Sequence, residues 1–239
     1  MGLAVAPWLP GCGDGRSSGG AGHMDGPGRV PATDTPGEVP WWLQGNYAPV
    51  DDEVELEQLT VEGALPPGLS GLYVRNGPNP AGQPGGHWFF GDGMLHGLWF
   101  EGGSARVYRN RYIRTAQLEK GRAAAVPDRV VNAGNTNLVQ HAGRLLTLYE
   151  VGWPHEVRAD DLSTVGVYNF SGALEASMTA HPKVDPVTGE MLFFSYDFQA
   201  PYLRFFRVNP DGALVHSAVM EIPQPTMQHE FQITENYVL

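Results

Sequence analysis

Two histidines stand in contexts that packing alone does not explain. His181 lies in Thr179-Ala180-His181-Pro182-Lys183-Val184-Asp185-Pro186, and His229 in Gln228-His229-Glu230-Phe231-Gln232-Ile233-Thr234-Glu235-Asn236-Tyr237. Each precedes a strand-like run, so each ring is expected to project past a sheet end into a shared space. A neutral imidazole in such a place can serve as a metal ligand. The single cysteine, Cys12, excludes an intrachain disulfide and a thiolate cluster and fits a reducing compartment. Any metal would therefore be held by histidine and carboxylate. An isolated histidine is more often a satisfied core or loop residue than a ligand, so the surrounding residues must decide.

The elements that would position these rings read as strands. From Leu56 onward, short runs rich in Val, Leu, Tyr and Phe alternate with glycine-containing turns, an all-β pattern with no long amphipathic helix. Hairpins are expected for residues 98–100 with 105–112 around Glu101-Gly102-Gly103-Ser104. A second pairs residues 138–140 with 145–149 around His141-Ala142-Gly143-Arg144. Further turns are expected at Asp185-Pro186-Val187-Thr188-Gly189 and Asn209-Pro210-Asp211-Gly212. Successive turn glycines Gly103, Gly143, Gly189 and Gly212 lie 40, 46 and 23 residues apart. The first two gaps suit one propeller blade each, and the third suits two hairpins within a blade.

Composition narrows the function. An apolar content of 42% over 239 residues supports a sizeable core. A formal net charge of −11 argues against a nucleic-acid partner, because neutralising phosphates needs clustered Lys and Arg. No run approaches the roughly eighteen apolar residues of a membrane span. Residues 1–40 are rich in Gly, Pro, Ser and Ala without apolar periodicity and are expected to form a disordered tail, with Met24 an alternative start. A secretory leader is not expected, because residues 3–8 lack a basic flank and the apolar stretch is broken by Pro7 and Pro10.

With the histidine blocks come others in a fixed order. They are Leu65-Pro66-Pro67-Gly68-Leu69-Ser70-Gly71-Leu72-Tyr73-Val74-Arg75-Asn76-Gly77-Pro78-Asn79-Pro80, Gly91-Asp92-Gly93-Met94-Leu95-His96-Gly97, Asn110-Arg111-Tyr112-Ile113-Arg114-Thr115 and Asn135-Thr136-Asn137-Leu138. From about Asn46 to Leu239 the chain resembles the N-terminal half of the carotenoid cleavage oxygenases, the family of lignostilbene dioxygenases and the retinal pigment epithelium isomerase. The resemblance implies a seven-bladed β-propeller, of which residues 41–239 would form the N-terminal part.

It also implies a non-haem Fe(II) dioxygenase that cleaves a conjugated carbon–carbon double bond with O2. The substrate would be an apolar polyene, carotenoid, apocarotenoid or stilbene-like molecule, giving carbonyl products. Four histidines hold the iron in the family, and the resemblance assigns His181 and His229 to two of them, with the others in blades beyond Leu239. An all-nitrogen set leaves the metal its full charge and open positions for dioxygen. Glu150 matches a glutamate that accepts a hydrogen bond from a ligand histidine, here expected to be His229, and so fixes its tautomer. Thr136 matches a small β-branched residue near the iron's open side. His23, His87, His96, His141, His155 and His216 match no ligand position and read as structural or solvated, with His141 in a turn. Arg75 to Pro80 and Gly91 to Met94 read as scaffold, with Gly91 and Gly93 permitting tight turns and Asp92 bonding its own backbone. The chain departs from the family at Phe90, where an acidic residue is usual, and at Glu230, where Asp is usual. A truncated inactive fragment or pseudoenzyme, and an isomerase or hydrolase on the same scaffold, are the competing readings. The expected location is cytoplasmic, with peripheral membrane contact to collect an apolar substrate.

Overall fold

The computed structural model describes residues 39–82, 86–120 and 129–239. The expected tail up to residue 38, with Cys12, His23 and Met24, falls outside them. The chain divides into two units, Met1–Ala48 and Pro49–Leu239. In the first, two single 3-10 turns, Trp41–Leu43 and Gly45–Tyr47, bring the Trp41 ring edge-on to Trp42 at 5.7 Å and to Tyr47 at 5.4 Å.

The second unit consists of three four-stranded antiparallel sheets. The first holds β1 (Glu55–Leu56), β2 (Gly71–Asn79), β3 (Asp92–Glu101) and β4 (Ser104–Tyr112) in the order β1-β4-β3-β2. A meander of β5 (Asn137–His141), β6 (Arg144–Leu148), β7 (His155–Val157) and β8 (Thr164–Val167) forms the second. The third is a meander of β9 (Lys183–Val184), β10 (Met191–Tyr196), β11 (Leu203–Val208) and β12 (Leu214–Met220). One five-residue helix, α1 (Ala116–Lys120), is the sole α-helix among the described residues.

The expected hairpins form, and their turns show why. Gly102 and Gly103 close β3 to β4 with φ of 55° and 75°, the left-handed pair that matches strand twist. A Cβ on Gly103 would also lie 2.8 Å from the Pro66 carbonyl oxygen, so no larger residue fits there.

Side-chain alternation stacks the sheets in chain order. Leu95 and Ile113 of the first region pack with Val157 and Leu162 of the second. Leu146 and Leu148 of β6 pack with Met191 and Phe193 of β10 and with Phe206 and Val208 of β11. Phe193 lies stacked between Phe170 at 5.8 Å and Phe206 at 4.8 Å. Such a fully buried aromatic stabilises the sheet stack by roughly 1.5–3 kcal/mol through burial. On the opposite face of β10, Phe194 and Tyr196 meet Leu203 and Phe231. Consecutive sheets packed face to face in this way make a partial β-propeller.

Asparagines from two of the sequence blocks join the leading strands in series. Asn76 of β2 donates to the carbonyls of Gly134 (2.6 Å) and Asn137 (3.0 Å), and Asn137 of β5 donates to the carbonyl of Ala180 (2.8 Å), just before β9. Two scaffold expectations need correction. Gly93 lies within β3 rather than in a turn, and is required because a Cβ would sit 2.6 Å from both the Ala133 oxygen and Ile113 Cδ1. Asp92 does not bond its own backbone. Its carboxylate accepts from the Ala81 amide at 3.2 Å and from Gln117 Nε2 at 3.3 Å, bracing the chain around the β2–β3 connection.

Candidate metal centre

His181 is held by backbone on both sides. Thr179 N–H bonds the Phe194 carbonyl of β10 (2.9 Å), the Ala180 carbonyl accepts from Asn137, and β9 begins two residues later. Glu150 stands two residues past the end of β6, in a turn closed by Gly152 N–H on the Tyr149 carbonyl, rather than within the strand. His229 lies in an irregular stretch after β12. The strand expected to follow it reduces to a short turn bridged at Ile233 and Val238, and Phe231, 4% exposed, anchors it under β10.

The three side chains converge. The His181 and His229 ring centroids are 4.4 Å apart at an interplanar angle of 65°. His229 Nδ1 is 3.5 Å from Glu150 Oε1, and His181 Nε2 is 3.8 Å from Glu150 Oε2. Both separations exceed a normal hydrogen bond, so these are close polar contacts. One donor atom from each residue lies within 4.8 Å of the others, and no other such cluster of His, Cys, Asp and Glu occurs among the described residues. The hydrogen bond expected from His229 to Glu150 is not formed at this separation, and the carboxylate lies against both rings, His229 and His181.

The electrostatics suit a cation. His181 Nε2 and both Glu150 oxygens are buried without a hydrogen-bond partner. Leaving such atoms unpaired costs about 1–3 kcal/mol each, more for a charged group, and a cation between them removes that cost. Burial raises the pKa of Glu150, against the pull of His229. Burial, reinforced by the charge of His229, lowers the pKa of His181 and keeps its ring neutral and free to donate a lone pair. Two imidazole nitrogens with a carboxylate form a donor set that fits Fe(II). The His229 side chain is 58% exposed against 15% for Glu150, so the cluster is open on the His229 side.

Thr136 sits at the head of the strand pair that leads to Glu150. Its N–H bonds the Leu148 carbonyl (2.9 Å), its hydroxyl donates to Asn135 Oδ1 (3.2 Å), and the residue is exposed. The histidines outside the cluster have other surroundings. His141 ends β5 with its ring buried and Nε2 2.9 Å from the Gly189 carbonyl, tying the second sheet to the third. His96 Nδ1 is 2.8 Å from the Tyr108 hydroxyl, and His155 is fully enclosed. Of the two departures, Phe90 is 62% exposed, while Glu230 accepts from Lys183 Nζ at 2.5 Å. Sequence reasoning gave Lys183 no role, because nothing local signals an ion pair between residues so far apart in the chain. No helix among the described residues is long and apolar enough to cross a membrane.

Known proteins resemble this chain in sequence and fold. The family model described as retinal pigment epithelial membrane protein matches residues 47–239. A carotenoid cleavage oxygenase of Mycobacterium tuberculosis is 38% identical over 209 residues, covering 83% of this chain and 42% of its own length. The crystal structure of Pseudomonas brassicacearum lignostilbene dioxygenase superimposes with a TM-score of 0.74 at 33% identity, over 84% of this chain and 47% of that one. Cobalt-substituted Synechocystis ACO gives 0.69 at 27% identity, over 80% and 46%. The chain thus spans a little under half the length of these relatives. It belongs to the retinal pigment epithelial membrane protein family, the carotenoid cleavage oxygenases.

Proposed function

We propose that residues 41–239 form the N-terminal part of an Fe(II)-dependent oxygenase domain that cleaves a conjugated carbon–carbon double bond with O2. The observation that carries this reading is the convergence of His181, His229 and Glu150 on one point. The substrate would be a carotenoid, apocarotenoid or stilbene-like molecule, the classes named for the relatives. The stoichiometry closes without a further reductant: one C=C and one O2 give two C=O groups.

His181 and His229 would hold the iron, with the Glu150 carboxylate against His229 Nδ1 fixing which nitrogen of that ring faces the metal. Bound Fe(II) would supply the redox chemistry that lets dioxygen react with a closed-shell alkene. The protein's own work is then orientation and exclusion of water. Asn137 ties Ala180, beside His181, to β5 and so fixes where that ring stands. Thr136, at the head of β5, would narrow access on the metal's open side. We place the protein in the cytoplasm, in peripheral contact with a membrane where an apolar substrate is dissolved.

The test is product analysis under labelled dioxygen, with immediate reduction of the products. Cleavage with one labelled oxygen in each fragment is expected. Label drawn only from water would replace this reading with a hydrolase or isomerase. A second reading is favoured by the 58% exposure of His229 and by a ligand count of two, His181 and His229. With two of four histidines, a polypeptide limited to these 239 residues would hold Fe(II) weakly and show no turnover.

A further inference from the structure

We propose that the Lys183–Glu230 ion pair is a positioning clamp that sets the separation of the two histidine rings. The inference rests on the metal-site reading of His181 and His229. Lys183 stands two residues after His181, and Glu230 is the residue after His229. The two histidine segments are attached to the protein very differently. His181 is fixed through β9, whose Lys183 pairs with Leu192 of β10. The stretch 221–231 has no such support. Among the described residues its backbone makes no hydrogen bond to another backbone group; the one side-chain hydrogen bond of normal length joining it to the rest of the chain is Lys183 Nζ to Glu230 Oε1 at 2.5 Å, beside the longer 3.5 Å contact of His229 with Glu150.

Lys183 makes a second contact with the same stretch. Its Nζ lies 5.4 Å above the centroid of the Phe231 ring, and that ring meets Phe194 edge-on at 5.2 Å. Glu230 Oε1 also accepts the Phe231 amide at 2.9 Å, which orients the carboxylate toward Lys183. One lysine on the His181 segment thus grips the two residues that follow His229. Phe231 holds the segment to the sheet face by burial. The ion pair adds a directional tie to a strand residue. Lys183 and Glu230 are therefore positioning residues: neither belongs to the donor cluster, and both act through the rings beside them.

The test compares K183M, E230Q, K183R and the charge-reversed double variant K183E/E230K with the unaltered chain. The probe is Co(II) alone, read by its visible absorption, with hydrogen exchange of the metal-free proteins measured over residues 226–233. K183M and E230Q should each weaken Co(II) binding by about fivefold, near the ceiling for one partly exposed pair, and speed exchange in that stretch while β10 and β11 are unchanged. K183R should restore most of both, and the double variant a smaller part, since it keeps the ion pair but loses the cation over Phe231 and the acceptor for the Phe231 amide. Unaltered Co(II) binding and exchange in K183M and E230Q would overturn the clamp, as would faster exchange throughout the third sheet, which would make the pair a general brace. If H181A and H229A bind Co(II) like the unaltered chain, the metal reading fails instead, and exchange over residues 226–233 still judges whether the clamp exists.

Discussion

Replacing His155 by leucine should change how the protein responds to acid. His155 opens β7, is 1% exposed, and neither ring nitrogen has a hydrogen-bond partner. Burial lowers its pKa from 6.5 to about 4. Because the folded-state value is depressed, the unfolded chain takes up the proton first. Stability from the neutral ring is present above about pH 6.5 and is lost as pH falls toward about 4. At about 1.4 kcal/mol per unit the full loss is about 3 kcal/mol, and at about pH 5 it is already about 2 kcal/mol. His96 is lowered to about 4 in the same direction, but it is present in both proteins and cancels. Leucine has a similar volume and leaves no unpaired polar atom, so His155→Leu should match or exceed the parent at about pH 7.5. Urea unfolding at about pH 7.5 and about pH 5 reads the difference. The parent should lose about 2 kcal/mol more than the variant between them. Equal losses would mean that His155 is hydrated or paired, and would refute the assignment of a buried neutral ring.

Other substitutions probe the site and the scaffold. Glu150→Gln should keep the fold and weaken metal retention by about ten- to a hundredfold, measured by competition with a chelator, because a neutral amide no longer polarises the neighbouring imidazole. Gly93→Ala should destabilise by roughly 1–3 kcal/mol in urea unfolding, since its Cβ must displace the Ala133 backbone and Ile113.

Local signals in the sequence served the hairpins well. Gly102-Gly103 and Gly143 announce left-handed turns, and alternation in β10 separates Phe193 from Phe194. Blade spacing was only partly legible. The 46-residue gap joins the first hairpin turns of the second and third sheets, whereas the 40-residue gap runs from the β3–β4 turn to the β5–β6 turn, which are not equivalent positions. The pairing of β1 with β4 had no local signature, because Glu55 and Arg109 lie on either side of the β2–β3 hairpin in the chain. At the candidate site, residue type and motif singled out His181, His229 and Glu150, which the structure brings together, but exposure is a tertiary property, and the openness of His229 could not be read. The same holds for Lys183 with Glu230 and for the Asn76–Asn137–Ala180 series, where each bond crosses between segments that sequence patterning treats separately.

The measurement that bears most directly on the metal centre is the Co(II) affinity of His181→Ala, His229→Ala and the double variant. Two ligands of one ion act as a unit, so the double variant should lose little more than the more damaging single one. Each single substitution should weaken binding by at least about tenfold, with melting temperature in the absence of metal unchanged. Affinity unchanged by either substitution, or losses that simply multiply in the double variant, would show that His181 and His229 do not share a cation.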